Sequence, residues 1–151
     1  MKTISRQLLA ELYGVPSASL DDLDLVARAL REGVETIGAT AMGESFHRFS
    51  PQGVSGTIVI AESHLSIHTW PEASYAALDI FTCGGLDPRP GFTAIGEILG
   101  AKRVRVKEVL RGVAEEVRAA GPIGPEDIII LANETEELAL GNHVCTDGER
   151  S

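Results

Sequence analysis

Basic side chains are scarce in this chain. Lys and Arg number 13 against 22 Asp and Glu, a formal net charge of −9 at pH 7, and they form no cluster able to neutralise a run of phosphates. Nucleic acid and anionic membranes are therefore not expected as partners, and the acidic balance leans only weakly toward cationic substrates. Long apolar runs are missing too. The opening stretch, MKTISRQLLAELYG, has one short apolar step broken by Glu11, so it lacks the core of a signal peptide, and no window reaches a membrane span. A cytoplasmic protein is expected. Cysteine occurs only at Cys83 and Cys145, and in a reducing compartment both are expected as free thiols. There is no internal repeat and no low-complexity tract. A serine-hydrolase elbow is absent as well: Gly53-Val54-Ser55-Gly56-Thr57 lacks the second flanking glycine, and Ser63 has none.

What is present suits one domain over residues 1–151, with 44% apolar residues for a core. Alternation over 7–13 predicts a strand. Leu23, Val26, Leu30, Val34 and Ile37 recur at helical spacing, with Ser19 as the expected cap and Gly38 as the stop. A second strand is expected over about 40–49. The β-branched run 57–61 reads as a central strand covered on both faces. Residues 74–82 are expected to pair back on the chain before Pro71, bringing Cys83 near the start of that stretch. Phe92, Ile95, Ile98 and Leu99 predict a second helix capped by Gly100, and 103–108 alternates as a last strand. The fold class is thus α+β: a two-layer sandwich with a mainly antiparallel sheet and helices on one face. The open face is expected to pack against a second copy, giving a four-layer αββα homodimer. Beyond 112 the pattern weakens into an extension over 113–151, with a helix expected at 113–120, a strand at 127–131 and a polar tail from 134.

Residues 62–84, ESHLSIHTWPEASYAALDIFTCG, concentrate the reactive side chains. Each has a plain alternative. Ser63 alone is a loop hydroxyl, and Cys83 alone is a small buried hydrophobe. Glu72 caps a turn after Trp-Pro, while Phe49, Trp70 and Tyr75 are ordinary core or interface aromatics. His64 and His68 stand four apart, which would converge on a metal from a helix. Ile67, Thr69 and Pro71 make this segment extended instead, so no metal is expected.

Taken together, the run 46–84, FHRFSPQGVSGTIVIAESHLSIHTWPEASYAALDIFTCG, closely resembles the bacterial and archaeal S-adenosylmethionine decarboxylase proenzymes. Weaker resemblance covers 8–14 and 101–112. The resemblance implies self-cleavage between Glu62 and Ser63, leaving chains 1–62 and 63–151. The serine hydroxyl attacks the preceding carbonyl and moves the acyl group from nitrogen to oxygen. Elimination and hydrolysis then leave a pyruvoyl group as the cofactor, which meets the small-molecule substrate as a Schiff base. By the same resemblance His68 removes the serine α-proton, and Ser55 steadies the cyclic intermediate. Cys83 returns a proton to the product. Glu72 takes hydrogen bonds from ribose hydroxyls, with the aromatics Phe49 and Trp70 also in the substrate region.

Five positions depart from the family's usual pattern. Ala73-Ser74 stands where an aromatic and a glycine are usual, Arg89 replaces a tryptophan, Gln7 a histidine and Leu12 a phenylalanine. None touches the processing residues. The leading expectation is an S-adenosylmethionine decarboxylase of polyamine synthesis. A pyruvoyl-dependent arginine or ornithine decarboxylase on the same scaffold is the alternative, since lost aromatics and an added arginine would suit a smaller substrate. A non-catalytic ligand-binding dimer is the remote one.

Overall fold

Alternation of buried and less buried residues along β3 and β5 marks the centre of the sheet. The computed structural model describes residues 3–83, 85–119 and 136–138. Its strands are β1 (Thr3–Tyr13), β2 (Ala41–Arg48), β3 (Val54–Ile60), β4 (Ser63–Trp70), β5 (Tyr75–Thr82), β6 (Arg103–Val113) and β7 (Glu136–Leu138). They lie in the order β2-β3-β4-β5-β1-β6-β7, and every neighbouring pair is antiparallel. Helices α1 (Ser17–Leu20), α2 (Leu23–Thr36), α3 (Arg89–Leu99) and α4 (Ala114–Ala119) complete the described chain.

The core lies on one side of the sheet. Leu8, Ala10, Leu12, Ile58, Ile60, Leu65, Ile67, Leu78, Ile80, Val104 and Val106 meet Val26, Leu30, Val34, Phe92, Ile95 and Leu99 of α2 and α3 in one buried cluster. A Cβ built on Gly91 would lie 2.8 Å from the Gly33 carbonyl oxygen, so glycine is what lets the two helices pack this closely. The other sheet face carries Val59, Trp70 and Tyr13, which are 51%, 41% and 39% exposed. The expected α+β two-layer architecture is therefore the observed one.

Three details differ from the sequence reading. Asp22, not Ser19, caps α2: its side chain accepts from the Leu25 N–H at 3.0 Å, while Ser19 lies inside the short α1 that follows Pro16. Strand β3 is covered on one face only, with Val54, Ile58 and Ile60 buried and Val59 open. A β-branched run reads the same whether its second face meets helices or an interface, so residue type cannot separate the two. The tail expected to be polar and unpaired contains β7, with Leu138 opposite Val104. Three residues are too few for a period, and the unpaired edge of β6 selects the pairing. The expected helix at 113–120 is α4; the expected strand at 127–131 and Cys145 lie outside the described residues.

Candidate active site

The β3–β4 hairpin decides where the reactive bond sits. Ile60 pairs with Ser63, so Ala61 and Glu62 alone make the turn. Glu62 has φ +62°, a left-handed conformation that costs a residue with a Cβ roughly 1–2 kcal/mol. The Glu62–Ser63 peptide bond thus leaves a strained residue at an exposed turn. In the β4–β5 pair His64 faces Phe81, at the end of the printed register, and Cys83 directly follows β5 at that same end of the sheet. Cys83 is exposed and unbridged. Glu62, Ser63 and Cys83 therefore gather at one end of the sheet.

The other site residues predicted from sequence gather at the opposite end. Ser55 pairs with His68 across β3 and β4, and Ser55 Oγ lies 2.8 Å from His68 Nδ1. In the tautomer that donates Nδ1–H to Ser55, Nε2 keeps its lone pair and can accept a proton. Glu72 lies in the 3-10 turn Pro71–Ala73 and accepts from Gln52 Nε2 at 3.1 Å. The Phe49 ring meets His47 edge-on at 4.6 Å. Trp70 stacks on Tyr75 at 5.3 Å, and Tyr75 on Tyr13 at 5.7 Å; the His68 ring lies 6.3 Å from Trp70.

These two groups do not meet within one chain. Ser63 and His68 stand five positions apart on β4, roughly 16 Å at about 3.3 Å per residue. Alternation also puts their side chains on opposite faces, with Ser63 on the Ile60 side and His68 on the open side. What reads as one compact motif in sequence is thus two clusters in space. His64 and His68 share the open face but stand four residues apart, about 13 Å, and each keeps its own partner. Among the described residues no group of three His, Cys, Asp or Glu could hold a metal ion.

Between the clusters runs a polar network that the motif reading missed. Asp79 accepts from His64 Nε2 and Gln7 Nε2, each at 3.0 Å, and from the Ser66 hydroxyl. Arg111 donates to the Gln7 carbonyl oxygen and lies over the Phe81 ring, 5.8 Å from its centroid. Burial pushes the Asp79 carboxyl up, but hydrogen bonds from Ser66, His64 and Gln7 together outweigh it and hold the group below its usual value. Burial, then the hydrogen bond donated to Glu11, pushes the Tyr75 phenol well above its usual range. The signal for this network was available: Asp79 is the one charge in the otherwise apolar strand YAALDIFT.

Two departures from the family pattern acquire a local role. Gln7 bridges Asp79 and Arg111. Arg89 opens α3 and binds Asp87, whose Oδ1 accepts from the Arg89 backbone N at 3.1 Å and Nε at 2.9 Å.

Comparison with known proteins gives a consistent picture. The model of the family described as S-adenosylmethionine decarboxylase matches residues 6–112. S-adenosylmethionine decarboxylase proenzymes of Thermosipho africanus and Thermotoga maritima are each 47% identical over 118 residues, 78% of this chain and 91% of theirs. The crystal structure of the adenosylmethionine decarboxylase from Aquifex aeolicus superposes with a TM-score of 0.68 at 33% identity, covering 77% of this chain and 97% of that one. A Trypanosoma brucei enzyme shares the fold alone, with a TM-score of 0.53 at 17% identity over 80% of this chain and 52% of that one. The Glu62–Ser63 bond at a left-handed turn, the Ser55–His68 pair and these likenesses agree: the chain belongs to the S-adenosylmethionine decarboxylase family.

Proposed function

We propose that this chain is a carboxy-lyase that cuts itself between Glu62 and Ser63, forms a pyruvoyl group from Ser63 and decarboxylates S-adenosylmethionine in the cytoplasm. The observation that carries this reading is the Glu62–Ser63 bond at a left-handed turn, with Cys83 directly following β5, the strand that pairs with β4. The Ser63 hydroxyl adds to the Glu62 carbonyl carbon, and the C–N bond breaks as the C–O bond forms. Loss of the Ser63 α-proton expels the Glu62 carboxylate, and water then releases ammonia. The fragments 1–62 and 63–151 stay together because β3 and β4 pair across the cut. These residues fit the group they would generate: its position ends a strand, and the neighbouring Cys83 is exposed and unbridged. When formed, a pyruvoyl group supplies an electron sink for the electrons released with carbon dioxide. Cys83 returns the proton, a task worth about 10²–10⁴-fold in rate for a well-placed acid.

The geometry supports a homodimer. A base about 16 Å away on the other face cannot take the Ser63 α-proton in its own chain. Packing the open faces of two copies together, ends reversed, would set Ser55 and His68 of each chain over the cut of the other. The same packing would cover Val59, Trp70 and Tyr13 and add Phe49 and Glu72 to a site for the adenosyl group. The arginine and ornithine alternative loses its support, because Arg89 is engaged by Asp87 and the Trp70–Tyr75–Tyr13 stack keeps aromatic surface at the site. Intact mass together with carbon dioxide release from the three candidate substrates tests the reading. Two fragments with a blocked larger one, turning over S-adenosylmethionine, are expected; a single uncut chain after long incubation sinks it.

A further inference from the structure

Resting on the role of Cys83 proposed above, we infer that Arg6 is the positioning residue that pins the Cys83 segment to the sheet. Arg6 lies in β1 opposite Thr82, the residue before the thiol, and opposite Leu110 on its other side. Its Nη2 donates to the Leu86 carbonyl oxygen at 2.5 Å, and its Nη1 to Glu108 Oε1 at 3.1 Å. One guanidinium therefore ties the loop after β5 to β6, across β1. Asp87 senses the same cation: Arg89 does most to hold its carboxyl below the usual range, and the charge of Arg6 adds to it.

The arginine is a poor choice for stability alone. Its Nε is buried with no hydrogen-bond partner, and an orphaned donor destabilises a fold that an apolar side chain of similar length would leave unburdened. What an apolar chain or a lysine cannot do is reach two acceptors in fixed directions at once. The cost is explained if the fork holds the donor thiol to within the fraction of an ångström that proton transfer needs.

Arg6→Met and Arg6→Lys, each with Cys145→Ser so that Cys83 is the one thiol, separate positioning from structure. In the Arg6→Met enzyme we expect self-cleavage within about twofold of the parent and a melting temperature no lower. Its kcat should fall about tenfold or more with KM little changed, the size expected for misplacing a reacting group. Arg6→Lys should recover part of the kcat. Cys83 alkylation by iodoacetamide, measured in the uncut Ser63→Ala chain, should change at least threefold with Arg6→Met, and this readout does not depend on decarboxylation. If Arg6→Met keeps both the parent kcat and the parent alkylation rate, the inference fails. It also fails if the variant loses stability and cleavage together, which marks a structural role. A parent that alkylates as expected but releases no carbon dioxide from S-adenosylmethionine would overturn the functional reading and leave the clamp standing.

Discussion

The two ends of the sheet differ in kind. The end holding Glu62, Ser63 and Cys83 is a turn and a loop, carrying a left-handed residue and an exposed thiol. The end holding Ser55, His68 and Glu72 sits on paired strands and a short 3-10 turn, with each of these side chains already hydrogen-bonded. In the proposed reaction one end holds the bond to be broken under strain, and the other a base and binding groups in fixed places. The proposed catalysis needs both, and the roughly 16 Å between them within a chain is the reason a second copy is proposed.

Changes at the two ends should therefore separate. The largest effect is expected at the cut itself, where Ser63→Ala leaves one chain of unchanged mass because no hydroxyl remains to attack. Next is the base: His68→Ala should slow cleavage by about 10²-fold or more, and co-expressing that chain with Ser63→Ala should restore cleavage of the His68→Ala subunit. The mixed dimer then owns one site with an intact serine and an intact histidine, contributed by different chains. A His68→Ala subunit that stays uncut in the mixture would show that the two ends do not meet across an interface. Third, Cys83→Ala should cleave normally yet release carbon dioxide about 10²–10⁴-fold more slowly; normal turnover would remove Cys83 from its role.

Smaller effects probe the strain and the network between the ends. Glu62→Gly in the uncut Ser63→Ala background should stabilise the chain by about 1 kcal/mol in denaturant, because glycine takes the left-handed conformation without a Cβ clash. No gain there would mean that the turn holds no strain at Glu62. The smallest is a pH effect. The folded chain holds the Asp79 carboxyl below its ordinary value, so the stability it contributes is complete above that ordinary value, near 3.9. It is lost as pH falls through the depressed folded value. Melting curves between about pH 5 and 3 should steepen less for Asp79→Asn than for the parent.

Much of this was legible from particular residues. Val26, Leu30 and Val34 at helical spacing and Gly100 at a helix end specify their elements locally, and the structure follows them. The cleavage pair and Cys83 could be placed together because a hairpin register follows from turn length. The cap was misjudged because Ser19 and Asp22 are both good N-cap residues and only the packing of α1 chooses between them. The Asp79 network and the Arg6 bridge were not legible. Gln7 and Asp79 are 72 residues apart, and Arg6 and Glu108 102, and no local rule links residues at that separation.

By itself, the sequence determined the family, the bond expected to break, the helix stripe and the strand periods. All of these depend on residue type and short-range spacing, which the chain carries wherever it goes. Only the tertiary structure decided that Ser63 and His68, five positions apart, belong to opposite ends and opposite faces of the sheet. A strand rises about 3.3 Å per residue and turns its side chains over at each step. Closeness along an extended chain therefore becomes distance in the fold.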